Sequence, residues 1–278
     1  MNAPRAKANE TSYVDGSLNY VADMQHRGRL HIDRSKQTVV EQPRSCRINN
    51  AWNSAENFSL ERQGFIAVRH RTRFGEASDR EALMAGYPDE LIDLIRDLSG
   101  TSWIIPKRVD VVLRTFSRTP DRSREPVGAI VHSDYSPASM QQQARMLLER
   151  TGQANRPFRR VGVYQTWRAL SRAPQERPLA LCDGRSIRQD DRVLVDNVIG
   201  REDDPAKVFE STVARYNPEH RWFFFPDLAQ DDLLIFRGAD TETACTSNIF
   251  HTSFEDPTSG PDAVPRVSVE SRFFCFYD

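Results

Sequence analysis

One histidine and one aspartate, His132 and Asp134, stand two residues apart at the end of the apolar run "GAIVHSDYSP". In an extended segment residues i and i+2 point to the same side, so this spacing lets an imidazole and a carboxylate reach one metal ion together. The spacing alone decides nothing, because "LHIDR" repeats it at His31 and Asp33. A third ligand separates the two cases. Of the other histidines, His220 lies in the polar turn "NPEHRW" and reads as a surface residue, whereas His251 ends a second apolar, strand-like run, "NIFHTSF". One strand end carrying His-x-Asp and another carrying a lone His supply two imidazoles and one carboxylate, the facial set that suits ferrous iron with open positions for oxygen and a co-substrate. The competing reading is that Asp134 caps the helix that follows. The His31 pair sits near a polar N-terminus and is followed by no compatible histidine with a co-substrate site.

Beyond His251 a turn-rich connection leads into "VPRVSVESRFF". As a strand, this segment puts Arg266, Ser268, Glu270 and Arg272 on one face and Val267, Val269 and Phe273 on the other. Two arginines turned into a β core are costly unless anions meet them. Glu270 neutralises one. The other suits a carboxylate, which a guanidinium grips with two parallel hydrogen bonds. A 2-oxo acid chelating the iron would present its far carboxylate at about this depth.

The elements that must position these groups are mostly strands. "GFIAVRHR", "SWIIPKRVDVVLRTF", "RRVGVYQTWRAL", "RPLALCDGRS", "RVLVDNVIG", "RWFFFPDL", "DDLLIFRGAD" and "RVSVESRFFCFY" are short β-branched or aromatic runs between Gly, Pro and Asp turns. That succession indicates a sandwich or barrel. Two segments read as helices packed outside it. Residues 78–98 have Ser78 as cap and an apolar set at Leu91, Ile92, Leu94 and Ile95, with Pro88 expected to split the helix in two. "SPASMQQQARMLLERTG" has Ser136 or Ser139 as cap, Pro137 in the first turn and Gly152 as stop. Residues 1–15 read as a disordered tail, and residues 16–278 as one domain whose β core lies mostly in 100–278.

The chain has 278 residues, 38% of them hydrophobic and 28% charged, which is ordinary for a globular protein with a sizeable core. With 38 basic against 39 acidic residues, nothing argues for nucleic acid or an anionic membrane as partner. The four cysteines, 46, 182, 245 and 275, are far apart with no CxxC, a poor disulfide or zinc pattern that suits a reducing cytoplasm. No window reaches the roughly 18 apolar residues of a membrane helix. A monomer or a homodimer is the expected assembly.

The order His-x-Asp, His, then Arg-x-Ser resembles the iron(II)- and 2-oxoglutarate-dependent oxygenases. More narrowly, "VHSDYS", "YQTWRAL", "PLALCD", "FPDLAQDDLLIFRGADT" and "HTSFEDP" followed by "PRVSVESRFF" are similar to the CmcJ/AsaB-like hydroxylase/desaturase family. The resemblance implies a mainly β fold with flanking helices around a double-stranded β-helix (jelly-roll, cupin-like) core. It implies that His132, Asp134 and His251 hold Fe(II), and that dioxygen and 2-oxoglutarate are co-substrates. Arg266 and Ser268 would grip the far carboxylate of 2-oxoglutarate, with Arg272 as the alternative anchor, since both arginines of "RVSVESR" recur in the family pattern. The substrate would be a small molecule of secondary metabolism, with Trp167, Arg168 and Tyr135 as candidate contacts. Two rivals stand beside this reading: a cupin-like isomerase, lyase or hydrolase that keeps the metal without redox chemistry, and a catalytically silent jelly-roll binding module.

Overall fold

A computed structural model describes residues 11–31, 34–115, 125–126, 128–199, 207–243 and 245–278. In chain order the first half holds β1 (Tyr13–Val21), β2 (Arg29–His31), β3 (Glu41–Asn50), β4 (Phe65–Arg69), α1 (Arg80–Ser99), β5 (Trp103–Pro106), β6 (Val112–Thr115), β7 (Glu125–Pro126), β8 (His132–Ser133) and α2 (Pro137–Arg150). The second half contributes strands: β9 (Arg160–Ala169), β10 (Leu179–Cys182), β11 (Arg192–Ile199), β12 (Lys207–Ala214), β13 (Trp222–Phe224), β14 (Asp232–Asp240), β15 (His251–Ser253) and β16 (Val267–Tyr277). Among the described residues these strands form two sheets. The larger runs β1-β3-β13-β10-β15-β8-β12-β11-β2, the smaller β4-β14-β9-β16-β6-β7, with β5 also on β16. The architecture is the expected jelly roll.

Strand alternation divides the smaller sheet into two faces. β16 pairs with β9 so that Ser268, Glu270 and Arg272 lie opposite Ala169, Trp167 and Gln165. Directly opposed residues share a face, so these six side chains line the interior. The intervening residues Tyr164, Val267, Val269 and Phe273 belong to the cluster under α1, where Leu83, Tyr87, Leu91 and Ile95 are fully buried. Their four-residue spacing gives α1 one apolar stripe. That burial also explains why Pro88 does not split the helix. One missing N–H bond is outweighed by the stripe that continues through Tyr87 and Leu91, and α1 runs unbroken from Arg80 to Ser99. Its cap is Asp79 rather than Ser78, accepting from the Ala82 amide, and Gly100 closes it with a φ of 62°.

The helix α2 begins as the sequence indicates. Ser136 and Ser139 form a reciprocal capping box, with Pro137 in the first turn. Three further differences from the sequence reading are instructive. β1 starts at Tyr13, inside the stretch read as tail, and pairs along its length with β3; residues 1–10 lie outside the described residues. His220 is buried, not on the surface. Its Nδ1 lies 3.0 Å from the Tyr20 hydroxyl and its Nε2 3.1 Å from Asp191, so satisfied hydrogen bonds let a histidine from a polar turn enter the core. β12 has no counterpart among the expected strands, yet it flanks the strand that carries His132.

Candidate metal centre

β8 and β15 are neighbours, and His132 stands directly opposite His251 in their register. Asp134 follows β8 on the way into α2. The ligand atoms of His132, Asp134 and His251 all lie within 4.8 Å of one another. Asp134 Oδ1 is 3.5 Å from His132 Nε2 and 4.0 Å from His251 Nε2. Each imidazole is aimed by its own backbone: His132 Nδ1 donates to the carbonyl of Ile130 at 2.7 Å and His251 Nδ1 to that of Ile249 at 3.2 Å. A carbonyl can only accept, so Nδ1 carries the proton and Nε2 offers its lone pair. Ser133, pointing the other way, donates to Asn248 Oδ1 at 3.0 Å and ties the two ligand segments together.

The electrostatics favour a neutral imidazole beside an ionised carboxylate. Burial, with His132 adding and Asp134 opposing, lowers His251 to about 4. Burial alone would raise Asp134, but the Arg272 guanidinium, the largest opposing influence, holds the carboxyl well below its usual range. A metal ion needs its ligands in these forms.

The inner face of β16 continues the site. Glu270 meets Arg114 at 2.6 Å and Arg272 at 3.3 Å. Arg272 lies against Asp134, its Nε at 2.7 Å from Oδ2 and its Nη2 at 2.5 Å. Arg266 differs. It is 1% exposed, its Nη1 donates to the Arg177 carbonyl, and among the described residues its Nε has no partner. Among the same residues no carboxylate pairs with it. Burial pushes its pKa down to about 9, against Glu270 and with Arg114 and Arg177, the direction expected of a buried cation short of an anion. Among the described residues the Ser268 hydroxyl and the Trp167 indole N–H are also buried without partners, and the Arg266 guanidinium lies 5.3 Å from the Trp167 ring centre. Three unanswered polar groups therefore share one wall.

The remaining candidates divide. Tyr135 is buried beside Asp134, and its hydroxyl donates to Asp110 at 3.2 Å and accepts from Lys107 at 3.3 Å. Arg168 does not reach the site. β9 turns it to the opposite face, under α1, where its donors meet the Tyr87 hydroxyl, the carbonyls of His70 and Gln230, and His70 Nδ1. The adjacent Trp167 and Arg168 cannot both face the interior, because neighbours on a strand alternate. His31 sits on the edge strand β2, beyond β12 and β11 from β8, and Asp33 lies outside the described residues. Sequence reading passed over Gln165, whose Nε2 donates to Asp134 Oδ2 at 2.5 Å. Its position two residues before Trp167, on the same face, was the available signal.

A family model described as "Oxidoreductase/YMDC permease-like domain" matches residues 14–276. The chain belongs to this family. It is an oxidoreductase, and its curated relatives carry the names the motifs suggested. The hydroxylase/desaturase efuI of Hormonema carpetanum is 28% identical over 256 residues, covering 83% of each chain. The hydroxylase/desaturase CTB9 of Cercospora beticola is 25% identical over 289 residues, covering 97% of this chain and 88% of its own. The Fe(II)/2-oxoglutarate-dependent dioxygenase nvfI of Aspergillus novofumigatus is 24% identical, with 84% of each chain covered. Among solved structures, a variant of the iron and alpha-ketoglutarate-dependent endoperoxidase NvfI superposes with a TM-score of 0.80 at 20% identity, over 97% of this chain and 99% of that one. The fold is shared across almost the full length.

Proposed function

We propose that this chain is an iron(II)- and 2-oxoglutarate-dependent oxygenase that oxidises a C–H bond of a small molecule of secondary metabolism, by hydroxylation, desaturation or oxidative cyclisation. The observation that carries the reading is the pairing of a His-Asp-His triad with a buried arginine that has no carboxylate partner among the described residues. The donor set fits ferrous iron: two imidazole Nε2 atoms and one carboxylate oxygen converge. The orphaned donors of Arg266, Ser268 and the Trp167 indole fit a carboxylate, which accepts several hydrogen bonds and supplies the missing charge.

In this reading His132 and His251 would hold the iron through Nε2 and Asp134 through Oδ1. Arg266 and Ser268 hold the far carboxylate of 2-oxoglutarate. Iron with 2-oxoglutarate and dioxygen, when bound, supplies the oxidising power for C–H cleavage and leaves succinate and carbon dioxide. His251 is buried, with the Phe236 ring centre 4.8 Å from the imidazole's. Trp167 walls the co-substrate side, and Tyr135 borders the site next to Asp134. Arg272 is already engaged by Asp134 and Glu270, which supports Arg266 as the anchor. A non-redox metalloenzyme would use the triad but give Arg266 and Ser268 no task. Four free cysteines support a cytoplasmic location, and no described helix is long and apolar enough to cross a membrane.

The test is anaerobic titration of Fe(II)-loaded protein with 2-oxoglutarate, following the weak visible charge-transfer band of a chelated 2-oxo acid. The band is expected in wild type and absent in His132→Ala. In Arg266→Ala it should require far more 2-oxoglutarate. No band in loaded wild type at any concentration would overturn the mechanism.

A further inference from the structure

We infer that Gln165 and Arg272 form a clamp on Asp134 Oδ2 that makes this aspartate a one-oxygen metal ligand; the inference rests on the triad being the metal site. The two carboxylate oxygens are treated differently. Oδ1 faces both imidazoles at 3.5 and 4.0 Å. Oδ2 takes the Gln165 amide at 2.5 Å and two nitrogens of Arg272, Nε at 2.7 Å and Nη2 at 2.5 Å. Two donated hydrogen bonds, from Gln165 Nε2 and Arg272 Nε, occupy the lone pairs of this oxygen, and Arg272 Nη2 adds an ion-pair contact beside them, so none is left for a metal. A carboxylate held this way cannot swing to give both oxygens, so the ion keeps a position that a chelating co-substrate needs.

Both members of the clamp are themselves held. Arg272 Nη1 donates to the Asp110 carbonyl at 3.1 Å, and Nη2 also reaches Glu270 at 3.3 Å. Glu270 is fixed in turn by Arg114 at 2.6 Å. With Nε, Nη1 and Nη2 all occupied, Arg272 has no free fork for a second carboxylate. Gln165 makes the point from the other side. Its Nε2 serves Asp134 while its Oε1 is buried without a partner among the described residues, so the amide is turned toward the ligand at the expense of its own oxygen. Gly238, on the neighbouring strand β14, leaves it room: a Cβ there would stand 2.9 Å from Oε1 and 3.2 Å from Val163 Cβ. The residues serve as positioning groups, since they touch the ligand rather than the metal.

The clamp and the anchor roles of Arg272 make opposite forecasts for metal binding in the absence of any 2-oxo acid. Metal-free protein is titrated anaerobically with Co(II) alone, and the d–d bands are followed for wild type, Gln165→Met, Arg272→Met, Gly238→Ala, Arg266→Ala and His132→Ala. Loosening the support of a ligand costs about 10- to 100-fold in metal affinity. Gln165→Met and Arg272→Met should each fall in that range, with weaker d–d absorption as the freed carboxylate supplies its second oxygen. Gly238→Ala should show a smaller loss, and Arg266→Ala none. Unchanged Co(II) affinity in Arg272→Met, with only a raised requirement for 2-oxoglutarate added afterwards, would overturn the clamp and make Arg272 an anchor. Should Arg272→Met fail to fold by circular dichroism, Gln165→Met and Gly238→Ala decide, and wild-type affinity in both overturns the proposal. Failure of the metal reading looks different: wild type binds no Co(II), or His132→Ala binds it equally well.

Discussion

Arg168 and Arg266 are both completely buried arginines, 0% and 1% exposed, yet they lie on opposite faces of the smaller sheet and in opposite circumstances. Under α1, Arg168 meets two carbonyls, a tyrosine hydroxyl and an imidazole nitrogen. The last contact is matched by His70 itself, which turns its other nitrogen to the Glu90 carbonyl at 3.0 Å. On the inner face Arg266 has, among the described residues, one carbonyl partner and an orphaned Nε. A buried charge with a partner at every nitrogen is part of the fold. In the proposed reading, one with donors unanswered awaits a ligand. The difference gives a criterion for function that motif and burial do not supply.

The sharpest way to break this comparison is to replace both residues by leucine. Arg168→Leu strips partners from two buried carbonyls and a hydroxyl and should cost about 3–5 kcal/mol of unfolding free energy. Arg266→Leu should leave stability unchanged or raise it, because an uncompensated buried cation is removed, while abolishing measurable 2-oxoglutarate binding. Denaturant unfolding and co-substrate titration read the two effects. Equal destabilisation by both changes would make Arg266 structural and end the contrast.

The same contrast exists between two tryptophans. Trp222 donates its indole N–H to the Tyr20 hydroxyl at 2.8 Å, whereas that of Trp167 is unmet among the described residues. Trp222→Phe should lose about 1–2 kcal/mol. Trp167→Phe should lose little stability and weaken 2-oxoglutarate binding by less than about tenfold, the worth of one neutral hydrogen bond. Equal stability losses would show that the Trp167 N–H has no ligand to meet.

The smallest effect concerns pH. Burial lowers the His220 pKa below its ordinary value, with Asp191 opposing. The unfolded chain therefore takes up a proton through about pH 6.5 that the folded chain resists, and stability is lost as pH falls below that value. His220→Gln should flatten this part of the stability–pH curve, as followed by thermal melts between pH 7 and 5. An unchanged slope would mean that the Tyr20–His220–Asp191 arrangement is not the source.

The convergence of His132, Asp134 and His251 was legible in the sequence because strand geometry converts His-x-Asp into two groups on one side, and the inner face of β16 because "RVSVESR" alternates without a break. Period two carried the face assignments of Arg266 through Arg272 correctly. The same rule, applied to "YQTWRAL", already forbids Trp167 and Arg168 from sharing the interior and points to Gln165 instead. What the sequence could not convey was partnership. Nothing local distinguishes an arginine that meets His70, Tyr87 and Gln230, residues remote in the chain, from one whose donors go unanswered. The burial of His220 was hidden for the same reason, since Tyr20 and Asp191 arrive from distant segments. β1 escaped notice because its alternation of Val14, Gly16, Leu18 and Tyr20 is interrupted by a glycine. That glycine is required: a Cβ at Gly16 would come within 2.9 Å of Ile48 Cδ1 and 3.0 Å of Phe254.

Each imidazole of the triad takes its orientation from the carbonyl two residues earlier in its own segment. Main chain cannot be substituted away. A lineage that rewrites the cavity walls to accept a new substrate therefore leaves the aim of both nitrogens untouched, and a change of chemistry needs no rebuilding of the hinge on which that chemistry turns.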